Sequence, residues 1–141
     1  MVIREAKEGD EGALSGLLEQ LGYPASQEVC RERIRMLKRE GYLLIVGELA
    51  HRPVAFIALH WYNVVHHDRP IGRIVAFCVD KNERGKGRGS QLLTYAEDFL
   101  RAKNCFKVEV TSNLRREDTH QYYLDCGYQQ TSRHFVKFLN P

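Results

Sequence analysis

The stretch "VDKNERGKGRGSQLL", residues 79–93, constrains the fold of this chain more than any other. Gly85, Gly87 and Gly89 alternate with Arg84, Lys86 and Arg88, and Ser90 leads into an aliphatic run. Upstream, "IGRIVAFCVD" (71–80) reads as a long strand, and the nearly unbroken apolar run Ile74–Val79 predicts burial on both of its faces. Downstream, Leu92, Leu93, Ala96, Phe99 and Leu100 recur at helical spacing as one apolar stripe. "FKVEVTS" (106–112) then reads as another strand. A strand, glycine loop, helix and strand in this order form a βαβ crossover, so the two strands are expected to be parallel neighbours or nearly so. A helix start offers unpaired N–H groups and the positive end of the helix dipole, and glycines let an anion approach the backbone closely. The loop is a candidate phosphate cradle.

The flanking sequence supplies the rest of one domain, residues 1–141. "VIREA" (2–6) reads as a strand. Asp10 can cap a helix carrying Ala13, Leu14, Leu17, Leu18 and Leu21, which Gly22 closes. Ser26 can cap a second helix to about Glu40, with Cys30, Ile34 and Leu37 buried. "YLLIVGEL" (42–49) and "PVAFIALHWY" (53–62) pair as an antiparallel hairpin across a short turn. A last helix spans about 117–126 and stops at Gly127, and the alternating "HFVKFL" (134–139) is expected to close the sheet. The fold class is therefore α/β, in the α+β sense: a mixed, mainly antiparallel sheet with one βαβ unit and helices on both faces.

Charge and cysteine content narrow the function. A net charge of +3 is mild, and there is no basic stripe interleaved with aromatics, so nucleic acid is not the expected partner. No apolar run approaches the roughly 20 residues of a membrane span, and "MVIREAKEGD" has no apolar signal region, so cytoplasmic residence without membrane association is expected. Cys30, Cys78, Cys105 and Cys126 form no CxxC pair and are expected to be buried thiols. "HHD" (66–68) has no third ligand at a telling spacing, so no metal is expected.

Two familiar phosphate loops can be compared with these letters. The P-loop pattern GxxxxGK[ST] does not occur. A dinucleotide loop, GxGxxG, is closer, and Glu109 stands at a suitable distance, but too few elements follow it for a doubly wound sheet. Arg84–Gly89 instead resembles the pyrophosphate signature of the GNAT superfamily of N-acetyltransferases, Arg/Gln-x-x-Gly-x-Gly/Ala. "YYLDCGY" (122–128) resembles that family's later Tyr-x-x-x-Gly-aromatic signature, with Tyr123 four residues before Gly127. The order of elements agrees along essentially the whole chain.

The resemblance implies acetyl-CoA as co-substrate, with the pyrophosphate held by main-chain amides within 84–90. It implies that the pantetheine arm runs along Phe77, Cys78 and Val79, where a backbone N–H such as that of Val79 polarises the thioester carbonyl. It makes Tyr123 the acid that protonates the departing thiolate, and Tyr122 a packing residue. A primary amine, on a small molecule or a peptide, then attacks directly. The chain departs from the family in three places, one of them Arg88, which stands where an aliphatic residue is common and leaves the backbone cradle intact. Arg73 stands where a glutamate base is common, leaving Glu109, His60, His66, His67 and His120 as candidates. Arg116 stands where an asparagine usually binds the cofactor, so either Asn113 or Arg116 makes that contact. The acceptor pocket is expected from the "LGYP" bend, the 63–70 loop and the C-terminal segment, and the edge at 134–139 can support a homodimer. A non-catalytic acyl-CoA-binding module, or a dinucleotide-binding domain, is the alternative.

Overall fold

The computed structural model describes residues 1–112 and 117–140. In chain order the elements are β1 (Val2–Glu5), α1 (Glu11–Leu21), α2 (Gln27–Met36), β2 (Tyr42–Leu49), β3 (Arg52–Tyr62), β4 (Ile71–Val79), α3 (Arg88–Ala102), β5 (Lys107–Val110) and α4 (Glu117–Asp125). The chain divides into two compact units, Met1–Glu109 and Val110–Pro141. Among the described residues no helix is long and apolar enough to cross a membrane.

The strands lie in the order β1-β2-β3-β4-β5, with β1–β2, β2–β3 and β3–β4 antiparallel, in a sheet that is mixed overall. The expected crossover is present, since β4 and β5, linked through α3, are neighbours. One sheet face carries Leu44, Val46, Phe56 and Cys78, packed against Leu14 and Leu17 of α1 and Cys30 and Ile34 of α2. The other face meets α3, whose Leu92, Leu93, Ala96 and Leu100 are all buried. Burying each leucine, isoleucine, valine or phenylalanine among them contributes about 1.5–3 kcal/mol, so these two layers hold the first unit together. Close approach of α3 depends on Gly72: a Cβ there would lie 2.8 Å from Leu100 Cδ1.

Several local expectations change. Asp10 does not cap α1 through its side chain. Its carboxylate instead accepts from Arg4 Nη1 and Nη2 at 2.8 and 2.9 Å and from the Lys7 N–H at 2.9 Å. A bidentate, charge-assisted pair in a nearly buried position outcompetes one neutral cap bond. Ser26 does cap α2, its Oγ accepting from Val29 N at 3.1 Å. That helix ends at Met36, not near Glu40, because Lys38, Arg39 and Glu40 bring no apolar side chain to bury and Gly41 turns the chain with φ +92°. Val75, expected inside, is 60% exposed. It is the extra residue of a bulge: Ala58 pairs with Ala76, but Leu59 pairs with Ile74. Of the cysteines, Cys30 and Cys78 are buried, Cys105 is half-buried and Cys126 is exposed.

The second unit contains α4, followed by a tight turn at Gly127 with φ +91°. The strand expected at 134–139 is absent from the described residues, and Phe135, Phe138 and Leu139 are more than 80% exposed. Alternating apolar residues favour extended backbone, but a strand exists only where a neighbouring edge takes up its N–H and C=O groups.

Candidate active site

The glycine loop begins where β4 ends. Asp80 N–H donates to the Val54 carbonyl at 2.8 Å, and the Asp80 carboxylate accepts from Asn82 N at 2.9 Å, starting the short 3-10 turn Lys81–Glu83. Gly85 and Gly87 follow with φ +75° and +79°, left-handed values that a side chain resists. Gly87 is the N-cap of α3 and has no side chain to cap it; its carbonyl accepts the first helical bond, from Gln91 N at 3.1 Å. The sequence thus folds a helix start with its amides uncapped by Gly87, at the end of the strand that carries Phe77, Cys78 and Val79.

The cations around this turn are organised. Arg84 Nε donates to the Val79 carbonyl at 2.8 Å, tying the loop back to the strand end. Glu83 accepts from Arg88 Nε at 2.9 Å and from Lys86 Nζ at 3.3 Å. The hydrogen bonds from Arg88 and then Lys86 hold the Glu83 carboxyl below its usual range. Glu83 was not singled out by sequence reasoning, and only its spacing of three and five residues from two cations could have suggested it. An anion at the turn would compete with this carboxylate for both cations.

The candidate residues separate into groups. Gly85, Lys86, Gly87, Arg88, Gly89 and Ser90 come together at the start of α3, next to Arg84. Phe77 and Val79 are half-buried on β4, and Cys78 is buried with its thiol directed to the Leu17 carbonyl at 3.5 Å, a packing position. Asn113 and Arg116 lie outside the described residues. Tyr123 is buried on α4, with its ring 5.7 Å from Tyr122 and 5.4 Å from Tyr128. His66 and His67 lie in the exposed 63–70 loop, where His67 packs on Phe106 at 4.4 Å. A shallow depression of about 510 Å³ runs beside the first turns of α3, lined by Met1, Ile3, Ser90 and Tyr95 among others.

His60 stands apart from the other histidines. Its register partners are Tyr42 on β2 and Arg73 on β4, so these three side chains form a row across the sheet. Its ring stacks between Tyr42, at 4.2 Å and 11°, and Tyr62, at 4.8 Å and 26°. The Arg39 guanidinium caps the ladder, 4.6 Å over the Tyr42 ring. The pattern His60-x-Tyr62 shows two residues on one strand face, but only the register adds Tyr42 and Arg73.

The family model for acetyltransferases of the GNAT family matches residues 13–128. An aminoalkylphosphonate N-acetyltransferase of Salmonella typhimurium is 38% identical over 86 residues, which cover 61% of this chain and 56% of that protein. The chain therefore spans little more than half the length of that curated relative. Among solved structures, a transcriptional regulator of Bacillus halodurans superposes with a TM-score of 0.90 at 19% identity, covering 98% of this chain and 99% of the other. A GNAT family acetyltransferase of Staphylococcus aureus gives 0.84 at 22% identity, covering 98% of each. With its whole length following one fold and most of it matching one family model, the chain belongs to the GNAT acetyltransferase family.

Proposed function

We propose that this protein transfers the acetyl group of acetyl-CoA to a primary amine. The observation that carries the reading is the start of α3, where Gly85 and Gly87 adopt positive φ and Arg84, Lys86 and Arg88 surround uncapped amides at the end of β4. Such a turn suits a diphosphate, because N–H groups and the helix dipole act together on negative charge. The backbone of Phe77–Val79 takes the pantetheine arm, and a strand N–H there stabilises the oxyanion of the tetrahedral adduct.

The amine attacks the thioester carbonyl carbon directly, and the C–S bond breaks as the adduct collapses. Tyr123 gives its phenolic proton to the departing thiolate and regains one from the acylated nitrogen. Cys78 is no nucleophile in this scheme, consistent with its buried, packed thiol. A small aminoalkyl acid is the acceptor class we favour. It is the kind of substrate named for the Salmonella relative, and Arg73 on β4 and Arg39 beside β2 supply charge for an acidic group.

Acetyl-CoA should raise the melting temperature where NAD does not, and free CoA should appear when amines are added, aminoalkylphosphonates first among them. Tyr123→Phe should cut thiol release by about 100-fold or more while acetyl-CoA still binds. Stabilisation by acetyl-CoA with no turnover on any amine would identify a binding module and refute the enzymatic reading.

A further inference from the structure

The row Tyr42–His60–Arg73 has a feature that the transfer scheme leaves unused. His60 Nδ1 lies 2.7 Å from the Gly41 carbonyl oxygen. A carbonyl only accepts, so Nδ1 carries a hydrogen, and in the neutral ring Nε2 holds the lone pair. The two ring nitrogens point in divergent directions, which turns Nε2 away from Gly41. Stacking between Tyr42 and Tyr62 fixes the ring plane, and the half-buried position leaves the ring in reach of solvent. The Gly41 carbonyl sets the tautomer and direction of the ring, and the two tyrosines set its plane.

Position on the sheet adds a second argument. Residues 56, 58, 60 and 62 share the β3 face that packs on α1 and α2. The bulge at Val75 brings Arg73 onto that same face, together with Ala76 and Cys78. His60 stands three positions along β3 from Ile57, the partner of Phe77, and five from Ala55, the partner of Val79, so the row lies ~10–17 Å along the strand from the backbone assigned to the pantetheine arm and thioester. An amine poised at the carbonyl and a short chain of ordered waters cover that distance. Tyr42 and Tyr62 face the ring directly, Arg73 faces it from β4, and Arg39 lies over the outer face of Tyr42.

Resting on the transfer reaction proposed above, we infer that His60 accepts the proton of the incoming ammonium group. One N–H bond of R–NH3+ breaks, and its proton passes along the waters to Nε2 and then to solvent. The freed lone pair forms the C–N bond. The proton that the nitrogen loses after C–S cleavage restores Tyr123, so a single proton is released per turnover. Arg73, in the place of a carboxylate, is not the base.

The test is steady-state thiol release by the whole chain with the best amine of the panel. His60→Asn keeps a donor for the Gly41 carbonyl but has no basic nitrogen, and His60→Gln and His60→Ala are measured alongside. The expected result is a fall in kcat of about 100-fold in each, an unchanged KM for acetyl-CoA, and an acid limb of kcat/KM displaced to higher pH. Added imidazole should restore part of the His60→Ala rate. Activity within threefold of the unsubstituted protein overturns the assignment, as does a fall with an unmoved pH profile and no imidazole rescue, which marks a purely structural ring. Absence of thiol release from the unsubstituted protein, by contrast, overturns the transfer reaction itself.

Discussion

Replacing Gly87 with alanine tests whether the turn at the start of α3 needs its left-handed backbone. A Cβ built at Gly87 meets nothing within 4 Å, so no collision with a neighbour contributes. The whole cost lies in the backbone, where φ +79° is unfavourable for an L side chain by about 1–2 kcal/mol. If the bound state requires this shape, the liganded protein carries the full cost. The free protein carries it only as far as the Gly87–Gln91 hydrogen bond and the Glu83–Arg88 ion pair hold the loop in place. The loss in unfolding free energy and the loss in binding free energy should therefore sum to about 1–2 kcal/mol. Were all of it to fall on binding, the Kd for acetyl-CoA would rise roughly 5- to 30-fold. Titration calorimetry gives one part and denaturant titration of the free protein the other. Gly87→Asn should cost less on the same sum, since asparagine tolerates this conformation better. A Gly87→Ala protein with unchanged stability and unchanged Kd would refute the requirement.

Other expectations follow from packing and charge. Gly72→Ala should lower stability by about 1–3 kcal/mol in equilibrium denaturation, because the new Cβ would stand 2.8–3.2 Å from three atoms of the fully buried Leu100; an unchanged midpoint would mean that α3 can shift freely. Burial pushes the Asp10 carboxyl up, but the Arg4 hydrogen bonds, the Lys7 N–H and the guanidinium charge outweigh it and hold the group below the usual carboxylate range. Its folded value is the depressed one, so its stabilisation is present above the unfolded value near 4 and lost as pH falls through the folded value. Asp10→Asn should therefore cost about 1–3 kcal/mol at pH 7 and flatten the fall in stability below about pH 4, and an unaltered acid limb would count against the pair.

Much of the architecture is written locally. The helical spacing of Leu92, Leu93, Ala96 and Leu100, the Ser26 cap and the β2–β3 hairpin depend on neighbours close in sequence, and each appears as expected. The glycine loop is legible for the same reason: Gly85 and Gly87 take positive φ at a helix start by their own chemistry. Long-range pairing is not local, and there the sequence misleads. "HFVKFL" carries a strand pattern, yet no strand forms at 134–139 among the described residues. The row around His60 is the clearest case. Tyr42 lies 18 positions from His60 and Arg73 another 13, and only the register of three strands aligns them. The bulge at Val75 then decides the face: one fewer residue on β4 would turn Arg73 to the opposite side, because side chains alternate with a period of two. The glycine turn at the start of α3 is written in the sequence alone, since positive φ at Gly85 and Gly87 takes only local conformational preference. Which side chains meet across the sheet was decided by the tertiary structure, because strand register is set by the packing of both faces at once.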